Sequence, residues 1–345
     1  MPIPEHSASD LVALDIGGAH LKAADGCGWS ASIAFPLWQR WRELPAAIAG
    51  LVADRRPRRL VATMTGEICD CYPSRSAGVA QIVESLVAAA PGYDDPPGVY
   101  LTDGRIVSPS EAIREWRLAA ASNWHALARF TASLFADRHG FLLDVGSTTT
   151  DIVPLAYGRV AALAHHDADR FLAGELVYTG VERTAVAAIV RSLPHRGLRR
   201  PVASELFAES RDAWLTLGEL PEDSETCHTA DGGPATAAAA RVRLARTMLL
   251  DPDEFMATDA TSAATAIADR QATIIARALR QVARGVGWVP DTVVIAGHGE
   301  PLAHRGLANT GWLPEVQRIA AMFSPAVARA APAHALACIA RGTIR

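Results

Sequence analysis

The chain has 345 residues, half of them hydrophobic, which is enough to bury more than one core. Its net charge of -4 excludes a broadly basic surface for nucleic acid. Five irregularly spaced cysteines indicate a reducing compartment, and no leader or apolar run of about 18 residues is apparent. We therefore predict a globular, cytoplasmic protein without nucleic-acid or membrane partners.

The first part of the chain alternates strand and helix patterns. The spacing of apolar residues predicts two strands around a glycine loop within residues 11–35, a third strand at 29–35, a helix at 45–54, a strand at 60–65, a helix at 77–90, a strand at 99–107 and helices at 109–121 and 123–136.

The second part repeats this organisation with longer polar segments between the elements. It predicts strands at 152–155 and 159–163, surface loops or lobe insertions at 193–201 and 217–234, helices at 235–249 and 260–286, a strand-and-glycine unit at 292–300 and a helix at 325–340. The repeated order of strands and helices predicts an α/β fold in two halves.

An apolar run that ends in Asp-x-Gly occurs twice. The first copy is LVALDIGG at residues 11–18, and the second is FLLDVGST at residues 141–148. In each copy the apolar run predicts a buried strand, and the glycines let backbone N–H groups turn inward to hold an anion. A carboxylate beside a phosphate-binding loop indicates a bound Mg²⁺ ion. Two copies predict two similar lobes that face one ligand.

These loops supply the candidate ligands. Asp15 and Asp144 are the predicted metal carboxylates, for Mg²⁺ or Mn²⁺, since both cations favour the same hard oxygens. Asp151 is a third candidate, with a cap in the following hairpin as its alternative role. The predicted phosphate-binding residues, which belong to the two loops and to the 292–300 unit, are Gly17, Gly18, Lys22, Gly146, Ser147, Thr148, Thr149, Gly297 and Gly299.

Four further segments are distinctive in combination: MTGEICDCY at 64–72, SNWHA at 122–126, YTGVERT at 178–184 and TADGGPAT at 229–236. With the loops, they resemble the superfamily of actin, sugar kinases and Hsp70-type ATPases. Within it the chain resembles the hydantoinase A/oxoprolinase branch and proteins of the tetrahydromethanopterin-linked one-carbon pathway. The latter are related to the archaeal synthase that forms the furan–phenol ether of methanofuran.

The resemblance implies an architecture of two ribonuclease-H-like lobes, with mixed sheets flanked by helices and a cleft between them. It places the first lobe at residues 1–138, with inserted helices at about 67–136. The second lobe covers residues 139–345, with an insertion at about 175–258.

The resemblance also implies a transferase of methanofuran or methylofuran biosynthesis. Such an enzyme joins an aminomethylfuran-methyl diphosphate to a tyramine- or tyrosine-type phenol and releases diphosphate, so these two small molecules are the expected partners. The alternatives are an ATP-dependent kinase or ATPase, a hydantoinase-like amidohydrolase and a noncatalytic pathway protein. Ala19 and His20 stand where ATP-using relatives usually carry a hydroxyl, which weighs against ATP. The number of subunits stays open, and a homo-oligomer is one option.

A phenol with an ordinary pKa near 10 needs a base at neutral pH. Glu67, Asp70, His20 and His125 are the candidates, because each lies in or beside a motif. Packing within a helix is the alternative role for His125. Cys69 and the nearby Cys71 offer either half a zinc site or ordinary packing.

The candidate substrate-binding residues are His20, Asn123, Arg183 and Asp231. Helix capping is the alternative for Asn123. The fork of Arg183 suits a phosphate or carboxylate, with an ion pair to Glu182 or Glu175 as the alternative. Asp231 either approaches the substrate or forms the turn before a helix.

Overall fold

The computed structural model describes residues 10–93, 95–134 and 137–343. Over these ranges the protein is a mixed α/β structure, as predicted. Its strands are β1 Leu11–Ile16, β2 His20–Ala24, β3 Ser30–Ala34, β4 Arg59–Met64, β5 Gly98–Tyr100, β6 Ile106–Val107, β7 His139–Val145, β8 Thr150–Ala156, β9 Arg159–Val160, β10 Leu176–Val177, β11 Ser192–His195, β12 Leu198–Pro201, β13 Thr292–Ala296 and β14 Glu315–Arg318.

Helices separate and flank these strands. They are α1 Leu37–Arg40, α2 Leu44–Val52, α3 Arg75–Ala88, α4 Pro109–Arg114, α5 Trp116–Ala119, α6 Asn123–Ser133, α7 Asp167–Ala173, α8 Val186–Ile189, α9 Ser210–Thr216, α10 Ala237–Thr247, α11 Ala257–Val286, α12 Glu300–Ala308, α13 Ile319–Met322, α14 Pro325–Arg329 and α15 Ala331–Ala340, with 3₁₀ turns at Trp41–Glu43 and Gly66–Ile68. None of the described helices is both long and apolar enough to cross a membrane.

The strands form two mixed six-stranded sheets and a separate hairpin. The first sheet has the order β3-β2-β1-β4-β5-β6, in which β1 pairs parallel with β4 and antiparallel with β2. The second has the order β10-β8-β7-β13-β14, with β9 paired to β8, and β11 pairs with β12.

The chain packs into two compact units. Unit 1 consists of residues 1–142, 153–170 and 317–345, and unit 2 of residues 143–152 and 171–316. The chain first leaves unit 1 four residues after the lobe boundary predicted at residue 138. Unlike the predicted lobes, the units are discontinuous in sequence.

Alternation along β1 explains how unit 1 builds two cores. Val12, Leu14 and Ile16 face a core that includes residues of α2 and α3. The intervening Leu11 and Ala13 face a second cluster, to which α6 and α15 contribute. Because side chains alternate across a strand, this single apolar run is buried on both faces, and its carboxyl end carries the first glycine loop.

Three predicted elements are wrong in detail. The strand predicted at 99–107 is split into β5 and β6, because Gly104 turns the chain with a φ of +90°. The surface loop predicted at 193–201 is instead the hairpin β11–β12, whose turn contains Arg196 with a φ of +47°. The helix predicted at 109–121 breaks at Glu115, which has non-helical dihedral angles.

Two further elements differ in length. The strand predicted at 159–163 spans only β9, and the helix predicted at 325–340 is divided into α14 and α15. The helix predicted at 123–136 ends in the structure at Ser133, and residues 135 and 136 lie outside the described residues.

Candidate functional site

The first glycine loop, in unit 1, places a carboxylate and an ammonium group opposite each other. Asp15 and Lys22 are register partners on β1 and β2, and Lys22 Nζ lies 3.6 Å from Asp15 Oδ2. Asp15 is 3% exposed. Burial raises the pKa of its carboxyl group, while Lys22 acts to lower it. Asp15 Oδ1 has no hydrogen-bond partner, so this oxygen is available to a ligand.

Close backbone packing joins this loop to the segment 64–72. A Cβ atom on Gly18 would lie 2.9 Å from Cys69 Sγ. A Cβ atom on Gly66 would lie 2.4 Å from Leu37 Cδ2 and 3.3 Å from the carbonyl oxygen of Ile16. Because only glycine fits such gaps, the two motifs identified in the sequence share one site in unit 1.

Glu67 is a second buried acid of this site, beside Asp15. It lies in the 3₁₀ turn Gly66–Ile68 and is 1% exposed. Neither carboxylate oxygen accepts a hydrogen bond of ordinary geometry, although Arg75 Nη2 approaches Oε1 to 3.3 Å and the Ala121 N–H lies close enough to act on the carboxylate. Burial raises the pKa of Glu67 to about 7, against the opposing effect of Arg75. A carboxyl group with this pKa can both accept and return a proton at neutral pH.

Arg75 also pairs with Asp167, which begins α7. Sequence reasoning missed both residues. Arg75 lies three positions beyond the segment 64–72, so a wider search around that motif would have included it. Asp167 is 92 residues away from Arg75 and belongs to no recognisable motif.

The backbone is in an unusual conformation immediately before the segment 122–126. Ala121 has a φ of +48°, a region that costs an alanine roughly 1–2 kcal/mol. Its N–H contributes to lowering the pKa of Glu67. The next residue, Ser122, is fixed by its hydroxyl, which lies 2.8 Å from Thr63 Oγ1. Strain of this kind is often retained at functional sites.

The remaining candidates of this segment are engaged with the protein. Asn123 Oδ1 accepts from the backbone N–H of Trp124 at 2.7 Å. The Arg170 guanidinium lies 3.8 Å from the Trp124 ring centroid. His125 Nδ1 lies 2.9 Å from the Tyr100 hydroxyl.

His125 is a weak base in this environment. Burial lowers its pKa to about 4, and the nearby His165 acts in the same direction. The imidazole is therefore neutral at pH 7. The other two candidate bases, Asp70 and His20, are exposed at the surface.

The second glycine loop belongs to unit 2 and is closed by backbone hydrogen bonds. Gly146 N–H donates to the Thr149 carbonyl at 2.9 Å. The segment 178–184 packs directly on it, because Val181 N–H donates to the Gly146 carbonyl at 3.1 Å. A Cβ atom on Gly180 would lie 2.5 Å from that same carbonyl oxygen. The structure thus brings together two motifs that are separate in the sequence.

Arg183 and Ser147 meet in this contact. The backbone N–H of Arg183 donates to the Ser147 carbonyl at 2.9 Å, and the Arg183 side chain is exposed. The Ser147 and Thr148 hydroxyls lie 3.5 Å apart. Ser147 and Thr148 thus lie in the loop for which they were predicted, and Arg183 contacts that loop through its backbone. The roles of all three as anion ligands stay predictions.

The third glycine loop packs against the strand that carries Asp144. A Cβ atom on Gly297 would lie 2.2 Å from the Val145 carbonyl oxygen and 2.6 Å from Asp144 Oδ1. Gly299 N–H donates to the same Val145 carbonyl at 3.0 Å. Close packing therefore already requires these glycines. Their contact with a diphosphate stays a prediction.

Glu182 ties the third loop to the segment 178–184. Its Oε1 lies 2.9 Å from His298 Nε2, and its Oε2 accepts from Arg211. Burial alone would raise the pKa of Glu182, but the His298 hydrogen bond and the Arg211 charge lower it overall. The partners found for Glu182 are therefore His298 and Arg211, which sequence reasoning did not anticipate.

The buried side-chain amide of Gln271 is hydrogen-bonded to the segment 178–184. Gln271 is fully buried on α11. Its Nε2 donates to Thr179 Oγ1 at 2.9 Å and to the Gly180 carbonyl at 2.8 Å, while its Oε1 accepts from Trp214 Nε1 at 2.9 Å. Every donor and acceptor of this set is paired, so the network fixes Gly180 against the glycine loop.

The carboxylate of Asp231 contacts two arginines and a backbone N–H group. Its Oδ1 lies 3.1 Å from Arg243 Nη1, its Oδ2 lies 3.1 Å from Arg246 Nη1, and it accepts from the backbone N–H of Gly233. Arg243 is fully buried and also pairs with Asp212. The exposed carboxylate of Asp231 therefore joins the buried Arg243–Asp212 ion pair from the surface of unit 2.

The candidate carboxylates suit a metal ion that takes most of its oxygen ligands from a bound substrate. Among the described residues, no three His, Cys, Asp or Glu side chains are grouped so that they could hold a metal by themselves. Cys69 and Cys71 therefore belong to no such group. A Mg²⁺ ion bound to substrate phosphates needs only one or two protein carboxylates. Asp15, with its unpartnered buried oxygen, fits that requirement. Asp151 lies in β8, opposite Leu176, and its role as a ligand stays a prediction.

Comparison with known proteins gives a consistent set of relatives. Residues 58–341 match the family described as hydantoinase/oxoprolinase. The chain is 30% identical over 295 residues to (4-{4-[2-(gamma-L-glutamylamino)ethyl]phenoxymethyl}furan-2-yl)methanamine synthase of Methanocaldococcus jannaschii, a match that covers 85% of this chain and 87% of the relative. The protein of the same name from Methanococcus vannielii is 29% identical over 173 residues, 50% of this chain and 77% of the relative. Among solved structures, the archaeal actin homologue Ta0583 is similar with a TM-score of 0.48 and 14% identity, over 97% of this chain and 99% of that one.

Proposed function

The chain belongs to the hydantoinase/oxoprolinase family, and from its similarity to the archaeal synthase we propose that the protein is a transferase of methanofuran or methylofuran biosynthesis. It would condense an aminomethylfuran-methyl diphosphate with a tyramine- or tyrosine-type phenol and release diphosphate. The observation that carries this proposal is the 30% identity to the synthase of M. jannaschii over 85% of the chain.

The proposed reaction exchanges one carbon–oxygen bond for another. The phenol oxygen attacks the furan methylene carbon and forms the ether, and the bond from that carbon to the diphosphate oxygen breaks. The diphosphate leaves with the bonding electron pair, and the phenolic proton passes to a base of the protein. The furan ring delocalises positive charge at the methylene carbon, so departure of the diphosphate runs ahead of attack.

Glu67 is the base that we propose. The pKa of Glu67, about 7, lies about three units below that of a free phenol, so transfer of the phenolic proton to its carboxylate is uphill by about 4 kcal/mol. This barrier falls as the phenol oxygen begins to bond to carbon, because the bond makes the phenolic proton more acidic. Neither of its buried oxygens accepts a hydrogen bond of ordinary geometry, although Arg75 and the Ala121 N–H lie near the carboxylate, so a ligand hydroxyl would complete its hydrogen bonding. The low pKa of His125 makes it a poorer candidate.

We propose that each glycine loop binds phosphate groups within its own unit. In unit 2, the loop that contains Gly146 carries the hydroxyls of Ser147, Thr148 and Thr149, which we propose as ligands of the leaving diphosphate. In unit 1, the loop that contains Gly17 is followed by Lys22, which offers a point charge. Asp15 and Asp144 are each candidates to hold a Mg²⁺ ion, which when bound would stabilise the charge that develops on the diphosphate.

The test is a reaction of the purified protein with a synthetic furan diphosphate, tyramine and Mg²⁺, followed by mass spectrometry. We expect ether and diphosphate in equal amounts, and neither when tyramine is omitted. A parallel sample contains Mg-ATP in place of the furan diphosphate. Conversion of ATP to ADP in this sample, with no ether formed from the furan diphosphate in the other, would establish a kinase or ATPase instead. Thermal stabilisation by diphosphate without any product would establish a noncatalytic binding protein.

A matched pair of variants tests the carboxylate in unit 2. We expect Asp144→Asn to lower the rate of ether formation by roughly 10³-fold, with the fold retained. The control is Asp253→Asn, which changes an exposed aspartate and should leave the rate unaltered. Normal turnover by the Asp144 variant would remove this residue from the proposed site.

A further inference from the structure

A cavity in unit 2 is lined by arginines. It has a volume of about 550 Å³ and lies between α8, the hairpin β11–β12 and α11. Arg191, Arg199 and Arg270 line it, and none of the lining residues is acidic. Its volume is in the range of small-molecule sites. Three like charges around one cavity repel one another unless an anion is present, and the chain as a whole carries a net charge of -4.

The guanidinium groups are available to a ligand. Within the described residues, the side chains of Arg191 and Arg270 make no hydrogen bond and no ion pair. Arg199 is oriented by Ser192, because its Nε donates to Ser192 Oγ at 3.0 Å and its Nη2 to the Ser192 carbonyl at 2.7 Å. This leaves Nη1 of Arg199 free in a fixed plane, the geometry in which arginine binds carboxylate or phosphate.

The walls of the cavity rest on a buried apolar cluster. Val186 and Ile189 of α8 and Leu193 of β11 belong to one buried cluster, together with Ile267 of α11. This cluster packs the helix, the hairpin and α11 together behind the cavity. The core therefore fixes the backbone segments that carry the three exposed arginines.

We propose that this cavity binds a small polyanion, a molecule with at least two carboxylate or phosphate groups. None of its lining residues belongs to the glycine loops, so the site is distinct from the proposed diphosphate site. The proposal does not depend on the proposed function.

Calorimetric titration with two probes tests the proposal, citrate for polycarboxylates and inorganic pyrophosphate for phosphates, both without Mg²⁺. We expect at least one probe to bind the native protein at submillimolar concentration. The double variant Arg191→Gln, Arg270→Gln should weaken that binding at least tenfold. The control Arg277→Gln, an exposed arginine on the same helix outside the cavity, should leave it unchanged. The probe that responds identifies the class of ligand.

Two results would overturn the proposal: binding of neither probe at millimolar concentration, or equal affinity of the double variant and the native protein. A Gly146→Val variant separates the two sites, since it should retain affinity for the probe here. Loss of that affinity would assign the anion to the glycine loop instead.

A measurement on the native protein avoids any effect of substitution on folding. Phenylglyoxal labelling should be blocked by the probe at Arg191 and Arg270 and not at Arg277, and equal labelling with and without the probe would contradict the site.

Discussion

Replacement of Glu67 by glutamine should make the protein more tolerant of alkaline pH and at the same time inactive. The substitution retains the shape of the side chain and removes its ionisation. The pKa of Glu67 is raised from an ordinary value of 4.5 to about 7 by burial. Below pH 4.5 the folded and unfolded chains both carry the proton. Between pH 4.5 and 7 the folded protein retains a proton that the unfolded chain has lost.

The ionisation of Glu67 therefore lowers the free energy of unfolding of the native protein as the pH rises from about 4.5 to about 7. Above pH 7 this group causes no further loss. A shift of 2.5 pKa units corresponds to about 3 kcal/mol over the whole range, of which about 2–3 kcal/mol falls between pH 5 and pH 8. The Glu67→Gln variant lacks this loss. Its free energy of unfolding relative to the native protein should accordingly rise by that amount from pH 5 to pH 8.

Urea unfolding at the two pH values measures this difference directly. The control is Glu84→Gln, which changes an exposed glutamate on the nearby helix α3 and should give the same relative stability at both pH values. The rate of ether formation by the native protein should rise with pH through an apparent pKa near 7, and the Glu67 variant should lose at least roughly 100-fold of that rate. If the relative stability of the Glu67 variant were independent of pH, the raised pKa and the role as base would both be refuted.

Three other substitutions test the surroundings of the proposed site. Gly180→Ala should weaken diphosphate binding, measured by calorimetry, at least tenfold, because the new Cβ atom would lie 2.5 Å from the Gly146 carbonyl oxygen. The control Gly50→Ala, in open space on a helix, should leave the affinity unchanged. Equal affinities of the Gly180 variant and the native protein would contradict the packing argument. Gln271→Leu should also reduce diphosphate affinity by releasing Gly180, and an unaltered Kd would show that the amide does not position the loop. Asp231→Asn should cost about 1–2 kcal/mol in urea unfolding with little change in turnover, whereas a large loss of turnover at full stability would restore a substrate-binding role.

The parts of the fold with regular local patterns were predicted well. The strands β1 and β2 and the loop between them follow from apolar residues, an aspartate and two glycines within residues 11–24. The strand β13 and its glycine loop follow from the same kind of pattern. In each of these segments the structure depends on neighbours in the sequence, so the sequence alone contains the signal.

The hairpin β11–β12 was missed because its strands contain prolines. Pro194 and Pro201 argue against a strand, and Arg196 has a positive φ that glycine would normally supply. The pairing is stabilised by contacts of Arg199 with Ser192 across the two strands. Such cross-strand contacts are not evident from propensities.

The supporting residues of the site were missed for a different reason. The ion pair of Arg75 with Asp167 joins residues that are 92 positions apart, and no local pattern connects them. Gln271 could have been identified, since it is a polar residue between Ile267 and Ile275 on the buried face of α11. A buried amide on an apolar helix face requires partners, which indicates a structural role.

Oxygen labelling tests the proposed transfer most directly. The phenol substrate is prepared with ¹⁸O in its hydroxyl group, and the ether and diphosphate are analysed by mass spectrometry. Cleavage of the bond between the furan methylene carbon and the diphosphate oxygen predicts full retention of ¹⁸O in the ether and none in the diphosphate, without consumption of ATP. Appearance of ¹⁸O in a phosphate product, or an absolute requirement for ATP, would contradict a diphosphate-displacing transferase.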